Sequence, residues 1–250
     1  MASTSETGHD KNVANFENLI SFCVGYGAAY NPSKNSLKVP QLQTQSASCK
    51  LNIVSVTNSK IAFNNATNVR MVVFDIKKLA TRLVSALDVT NASKELVKDA
   101  KTVNAKIQSG GKLTKADAGK NAKAIDPNAP VIDTPKTISN SQLSYSNIIE
   151  HFSKLIAILS TEPTYVPNEN DLKIVTLNTQ LTNLKNANTA VINAYTTYSN
   201  SLIARNLSLY NPTNGLCATA KEVKAYVKSV FGATSPQYKQ VSGIEFKIIK

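Results

Sequence analysis

Apolar side chains recur along this chain at intervals of three and four, the spacing of one face of a helix. Val13, Phe16, Leu19, Ile20, Cys23 and Val24 follow that rhythm. Leu143, Ile148, Ile149, Phe152, Leu155, Ile156 and Leu159 repeat it in the second half. Each of these stretches ends at a Tyr-x-Pro turn, Tyr30 to Pro32 and Tyr165 to Pro167. Proline lacks the amide that a continuing helix needs and disfavours helix in the residue before it.

After each turn the spacing alternates four and three over many turns. One seam runs Leu42, Ser46, Cys49, Ile53, Val56, Lys60, Phe63, Thr67, Arg70, Phe74; the other runs Leu177, Leu181, Leu184, Asn188, Val191, Tyr195, Tyr198, Leu202, Arg205, Leu209. This is the pattern of antiparallel bundles and coiled coils, and about 35 residues at 1.5 Å each predict a rod on the order of 50 Å unless the helix breaks at Asn64-Asn65. Shorter helices follow. Ser93 starts one with Leu96, Val97, Ala100, Val103 and Ile107 on its face, Ala218 to Phe231 forms another, and Ser235-Pro236 caps a third. Ser139 with Gln142 offers a capping box before the second amphipathic helix. The last eight residues, 243–250, alternate like a strand but find no partner strand, so they are expected to lie extended on the bundle or on another chain.

The two halves are copies. At a shift of 135 residues, Tyr30, Pro32, Asn35, Leu37, Lys38, Leu42, Thr44, Gln45, Lys50, Val56, Asn58, Asn65 and Arg70 are repeated, 13 identities in 41 positions. Roughly one in sixteen is expected for unrelated residues, so the repeat is real. With one residue of slip, Phe16, Leu19 and Ile20 lie over Phe152, Leu155 and Ile156. The expected organisation is a disordered N-terminus over 1–11, a helical repeat over 12–108, a Gly-, Lys- and Pro-rich linker over 109–137, a second repeat over 138–242 and the tail. The fold class that follows is all-α, two tandem repeats of long antiparallel helical hairpins in an elongated bundle.

Composition narrows the function classes. The chain has 250 residues, 42% of them hydrophobic, with no apolar run near the roughly 18 residues of a membrane span. Met1 to Asn12 is polar, which predicts no secretory signal. Three Cys, an odd and scattered set, fit a cytoplasmic protein better than a disulfide framework. The formal charge is +12, but 25 of the 28 basic residues are Lys and only Arg70, Arg82 and Arg205 are Arg. Without the planar fork of Arg, this reads as diffuse attraction rather than base recognition.

Candidate chemistry is thin. Cys23 and Cys49 align with Leu159 and Leu184, which marks them as core positions; Cys217 stands near a helix start, where a thiol can acidify. Two His and three dispersed Cys give no metal-ligand spacing, and no phosphate-cradling or nucleophile-elbow motif occurs. No catalytic residue, cofactor or metal site is expected. Residues 34–82 carry a net +7 and residues 94–123 a net +5. They nominate Lys38, Lys50, Lys60, Arg70, Lys77, Lys78, Arg82, Lys94, Lys98, Lys101 and, from the repeat, Arg205 as contacts for a polyanion or protein partner. Tyr30, Pro32, Tyr165 and Pro167 define the repeated turn.

The Tyr-x-Pro turn, the long seam helix and the ending VKAYVKSVFGATSPQYKQVSGIEF resemble an uncharacterised two-repeat all-helical family of bacteria. The resemblance covers most of the chain and implies the helical fold, with no activity or site to carry over. The leading functional expectation is a non-catalytic interaction or assembly protein that binds itself or another protein and has no small-molecule substrate. Electrostatic binding of nucleic acid or another polyanion is the alternative, and a membrane-active amphipathic bundle, with no transmembrane segment, is the third.

Overall fold

The computed structural model describes residues 8–108 and 140–249, and the side chains of 140–144 are not described. The expected linker over 109–137, the Ser139–Gln142 capping box, Lys250 and most of the N-terminal stretch lie outside the described residues. All regular structure among the described residues is helical: α1 His9–Gly25, α2 Val39–Val73, α3 Lys77–Asp88, α4 Lys94–Gln108, α5 Asn140–Ser160, α6 Ile174–Tyr210, α7 Leu216–Phe231 and α8 Pro236–Ser242, with 3-10 turns at Gly27–Ala29, Asn35–Leu37 and Asn170–Leu172. The helices pack around buried apolar side chains.

Local sequence sets several of these boundaries. The Ser93 hydroxyl accepts the Leu96 amide at 3.1 Å, and the Ser235 hydroxyl accepts the Tyr238 amide at 3.1 Å with Pro236 at the first helical position. Gly232 ends α7 at φ +91, a conformation open to glycine. Gly215 is required for space, because a Cβ there would stand 2.5 Å from the Asn211 amide. α1 begins at His9, inside the stretch expected to be disordered; Asp10 in its first turn suits the helix N-terminus, and His9 Nδ1 lies 2.7 Å from the Tyr210 hydroxyl. α2 is continuous through Asn64-Asn65.

The chain divides into two compact units, Met1–Asn64 with Asn193–Lys250, and Asn65–Ile192. Each therefore takes elements from both sequence copies, because α2 and α6 each contribute to both. In the first unit, Phe16, Leu19, Ile20 and Cys23 of α1 pack with Leu42 and Cys49 of α2, Leu209 of α6, Leu216, Val223 and Val227 of α7, and Val241 of α8. In the second, Phe152, Leu155, Ile156 and Leu159 of α5 pack with Leu83 and Leu87 of α3, Val97, Ala100 and Ile107 of α4, and Leu177, Leu181 and Leu184 of α6. Burying each Val, Leu, Ile or Phe among them contributes on the order of 1.5–3 kcal/mol.

Within each unit the two long helices run antiparallel. Ser59 and Ser201 hydroxyls meet at 2.7 Å in the first, and Arg70 donates to Asn188 at 3.2 Å in the second. The seam is buried toward its ends and half-exposed in the middle, where Ile53, Val56, Phe63 and Thr67 are only partly covered and Tyr195 is exposed. Lys60 keeps its ammonium outside, about 5 Å from the Phe63 and Tyr198 ring centroids. The copied residue Gln45 donates to the Asn214 carbonyl at 2.9 Å, just past the end of α6. Its counterpart Gln180 donates to the Val73 carbonyl at 3.2 Å, the last residue of α2. The repeated Gln thus donates to a carbonyl near the C-terminal end of the opposing long helix in both places, a helix-terminal one at Val73 and one in the following turn at Asn214.

Candidate interaction surface

The Tyr-x-Pro turns form the same structure twice. Tyr30 is buried and its hydroxyl donates to the Leu37 carbonyl at 2.8 Å; Tyr165 is buried and donates to the Leu172 carbonyl at 3.0 Å. Burial pushes both phenols up, Tyr165 to about 12. Pro32 is buried and Pro167 half-buried, and each turn packs against a short helix, α7 in the first unit and α3 in the second. The ionic latch differs in polarity. Lys34 of the first turn pairs with Glu222 of α7 at 2.6 Å, whereas Asp171 of the second accepts both Nη groups of Arg82 on α3. The Arg82 hydrogen bonds hold the Asp171 carboxyl below the usual carboxylate range.

Several of the nominated basic residues are engaged within their own unit. Lys50 pairs with Glu17 at 2.6 Å, Lys101 with Asp88 at 3.0 Å, and Lys77 donates to the Gln108 carbonyl at 3.0 Å. Arg70 is only 5% exposed, its guanidinium lies 3.9 Å from the Tyr145 ring centroid, and its Nε has no hydrogen-bond partner. Arg205, the same position in the other copy, is half-buried and donates to Asn206 at 2.9 Å. Lys38, Lys78, Lys94 and Lys98 are exposed, with Lys94, Lys98 and Lys101 one turn apart along one face of α4.

Reactive chemistry does not assemble at the cysteines. All three are buried free thiols, and burial pushes Cys23 and Cys217 up to about 11 and raises Cys49. At Cys217, desolvation outweighs the helix start that spacing suggested as an acidifying influence. Among the described residues no three His, Cys, Asp or Glu side chains converge on a point that could hold a metal. No described helix is long and apolar enough to cross a membrane.

Sequence reading missed the outer side of α2. Opposite its buried face, Ala47, Leu51, Val54, Asn58 and Ile61 recur at four and three, and Leu51, Val54 and Ile61 are 70%, 52% and 52% exposed. Ala47 also lines a groove of about 440 Å³ between α1 and α2, walled by Ile20, Ser21 and Val24 and closed by the Glu17–Lys50 pair. The signal is present in the sequence, as a second heptad stripe on the same helix, but only burial tells which stripe is covered.

A second feature lies where the tail meets α1. The chain turns at Gly243, and residues 244–249, neither helix nor ladder strand, pack on α1 and α7 of their own chain, with the Phe246 ring edge-on to Phe16 at 6.5 Å. The expected alternation holds for Ile244 and Phe246, then slips by one, since Ile248 is 64% exposed and Ile249 half-buried. Lys224 of α7 donates to the Ser242 and Ile244 carbonyls, and partial burial holds its ammonium below the usual lysine range.

No family model, no curated protein and no solved structure matches this chain. Function is therefore read from geometry alone.

Proposed function

We propose that this protein is a non-catalytic interaction or assembly module, a cytoplasmic scaffold built as two tandem copies of a long helical hairpin, whose docking face is the outer stripe of α2. The exposed Leu51, Val54 and Ile61 carry the reading. Apolar side chains at this spacing act as knobs that require holes, and a partner helix with apolar residues at the same interval supplies them. The groove beside Ala47 extends the face onto α1.

The test pairs sedimentation with a designed helical probe carrying Leu at every first and fourth heptad position. Self-association or probe binding at tens of micromolar is expected, and the double substitution Leu51→Glu, Ile61→Glu should abolish it. A chain that stays monomeric and ignores the probe up to about 1 mM would sink the proposal.

A second reading, electrostatic binding of nucleic acid or another polyanion, is favoured by the Lys94–Lys98 stripe on α4. Pairing of Lys50, Arg82 and Lys101 with carboxylates weakens it. A mobility shift titrated with salt decides it: no binding near 50 mM salt ends the idea.

A further inference from the structure

We infer that the face of α1 beneath the tail is a recognition site for an extended peptide, and that its occupant in trans is the same tail, Gly243 to Ile249, of a second copy of this chain. The contacts are of a kind that reads a main chain. Asn12, 3% exposed, donates from Nδ2 to the Lys247 carbonyl at 2.7 Å and accepts the Lys247 amide on Oδ1 at 3.0 Å. Its remaining Nδ2 hydrogen points to the Tyr210 hydroxyl at 3.3 Å, so every group of this buried amide is engaged and its orientation is fixed. One turn on, Asn15 donates to the Glu245 carbonyl at 2.7 Å. Sequence enters chiefly through Ile244 and Phe246, the residues packed on the core. The site thus selects extended backbone with apolar side chains two apart.

The repeat provides an internal control. With the one-residue slip that places Phe16 over Phe152, Asn12 and Asn15 lie over Ile148 and His151 of α5. α5 is covered by the fifteen-residue helix α4, and there the corresponding positions are not amides. α1 packs against the sixteen-residue α7 and the seven-residue α8, and the strap covers what those helices leave open. Paired amides on α1 are what an extended cover requires and a helical cover does not.

Exchange between copies replaces each contact with an identical one, which makes such swapping a low-cost route to a symmetric dimer. The strap is joined to α8 at Gly243, where a Cβ would meet nothing within 4 Å, and its outward residues Glu245, Lys247 and Ile248 are exposed. The competing in-cis arrangement acts at an effective concentration on the order of millimolar. The inference is independent of the outer stripe of α2.

Two measurements on the full chain test it. A labelled synthetic peptide of sequence GIEFKIIK should bind the Phe246→Ala chain about tenfold more tightly than wild type, whose own tail competes, and should lose binding when Asn12→Ala is added. Separately, a photo-crosslinking phenylalanine analogue at position 246, in an equal mixture of ¹⁵N-labelled and unlabelled chains, should give mixed-isotope crosslinks to α1. Their yield should rise with protein concentration, fall with excess peptide and survive Leu51→Glu, Ile61→Glu. Failure of the peptide to bind overturns the recognition site. Peptide binding with single-isotope crosslinks alone, up to about 1 mM protein, overturns the exchange.

Discussion

α1 and α5 occupy the same place in the two sequence copies, yet they are covered differently. Phe16 and Phe152 are both fully buried. Over α5 the cover is α4, which brings Val97, Ala100 and Ile107 into the core at helical spacing. Over α1 the cover is α7 with the short α8, completed by an extended strap held by side-chain amides. The same apolar helix face can thus be closed by a helix, whose backbone satisfies itself, or by extended chain, whose backbone must be satisfied by the face it covers. That requirement explains why the amides stand on α1 and not on α5.

The difference can be broken by substitution, most strongly in the second unit. Ile107→Ala, at a fully buried position, is expected to cost about 3 kcal/mol in urea unfolding, whereas Phe246→Ala, half-buried on the strap, is expected to cost about half as much. Equal losses would mean that the strap is core in the same sense as α4.

The repeated arginines give the next contrast. Arg70→Ala should cost about 2 kcal/mol, because it removes a buried stack on Tyr145 and leaves the Asn188 oxygen unpaired. Arg70→Met, which keeps the bulk without a buried charge, should recover the packing part of that loss but leave the Asn188 oxygen unpaired. Arg205→Ala should stay within about 0.5 kcal/mol, since its hydrogen bonds go to an adjacent exposed residue. A large effect at Arg205 would show that the copied Arg has one job in both places.

The turns should behave alike. Tyr30→Phe and Tyr165→Phe each remove one buried hydroxyl-to-carbonyl bond of the same geometry, and each is expected to cost about 1 kcal/mol. A loss at Tyr30 beyond about twofold that at Tyr165 would assign the excess to the Cys23 thiol, which hydrogen-bonds the Tyr30 hydroxyl and is replaced by Leu159 in the other copy.

The smallest effect is pH dependence at the position where the copies carry Asn15 and His151. Burial, with Lys106 adding to it, holds the His151 imidazole below its ordinary value of 6.5, and its Nδ1 is buried without a partner. A depressed folded value means that the unfolded chain binds the proton more readily, so stability is full above about pH 6.5 and falls as acid protonates the site. His9 is lowered too, chiefly by burial. His151→Asn should therefore flatten part, not all, of the acid limb in thermal melts between pH 7 and 5. An unchanged limb would assign the dependence to His9.

Periodicity made much of this legible. The three-and-four spacing located α1, the two long helices and α4, because burying one face of a helix leaves that rhythm in any sequence. The repeat exposed the paired turns, since Tyr, Pro and Leu at fixed offsets form a bonded unit within a dozen residues. The Ser93 and Ser235-Pro236 caps were visible for the same local reason. Lys50, Arg82 and Lys101 looked like an open basic surface because their partners Glu17, Asp171 and Asp88 lie elsewhere in the chain. Asn12 and Asn15 gave no signal at all among 27 asparagines.

What the sequence determined by itself is therefore everything whose cause is local: helical type, the caps, the duplicated turn and the apolar face each helix must bury. Tertiary structure alone decided which stripe of α2 is covered, that each compact unit draws on both copies, and that Arg70 is buried where Arg205 is not. Those outcomes depend on which distant segment supplies the opposing surface. A helix declares the face it needs to bury, but not whether a helix or an extended strap will close it.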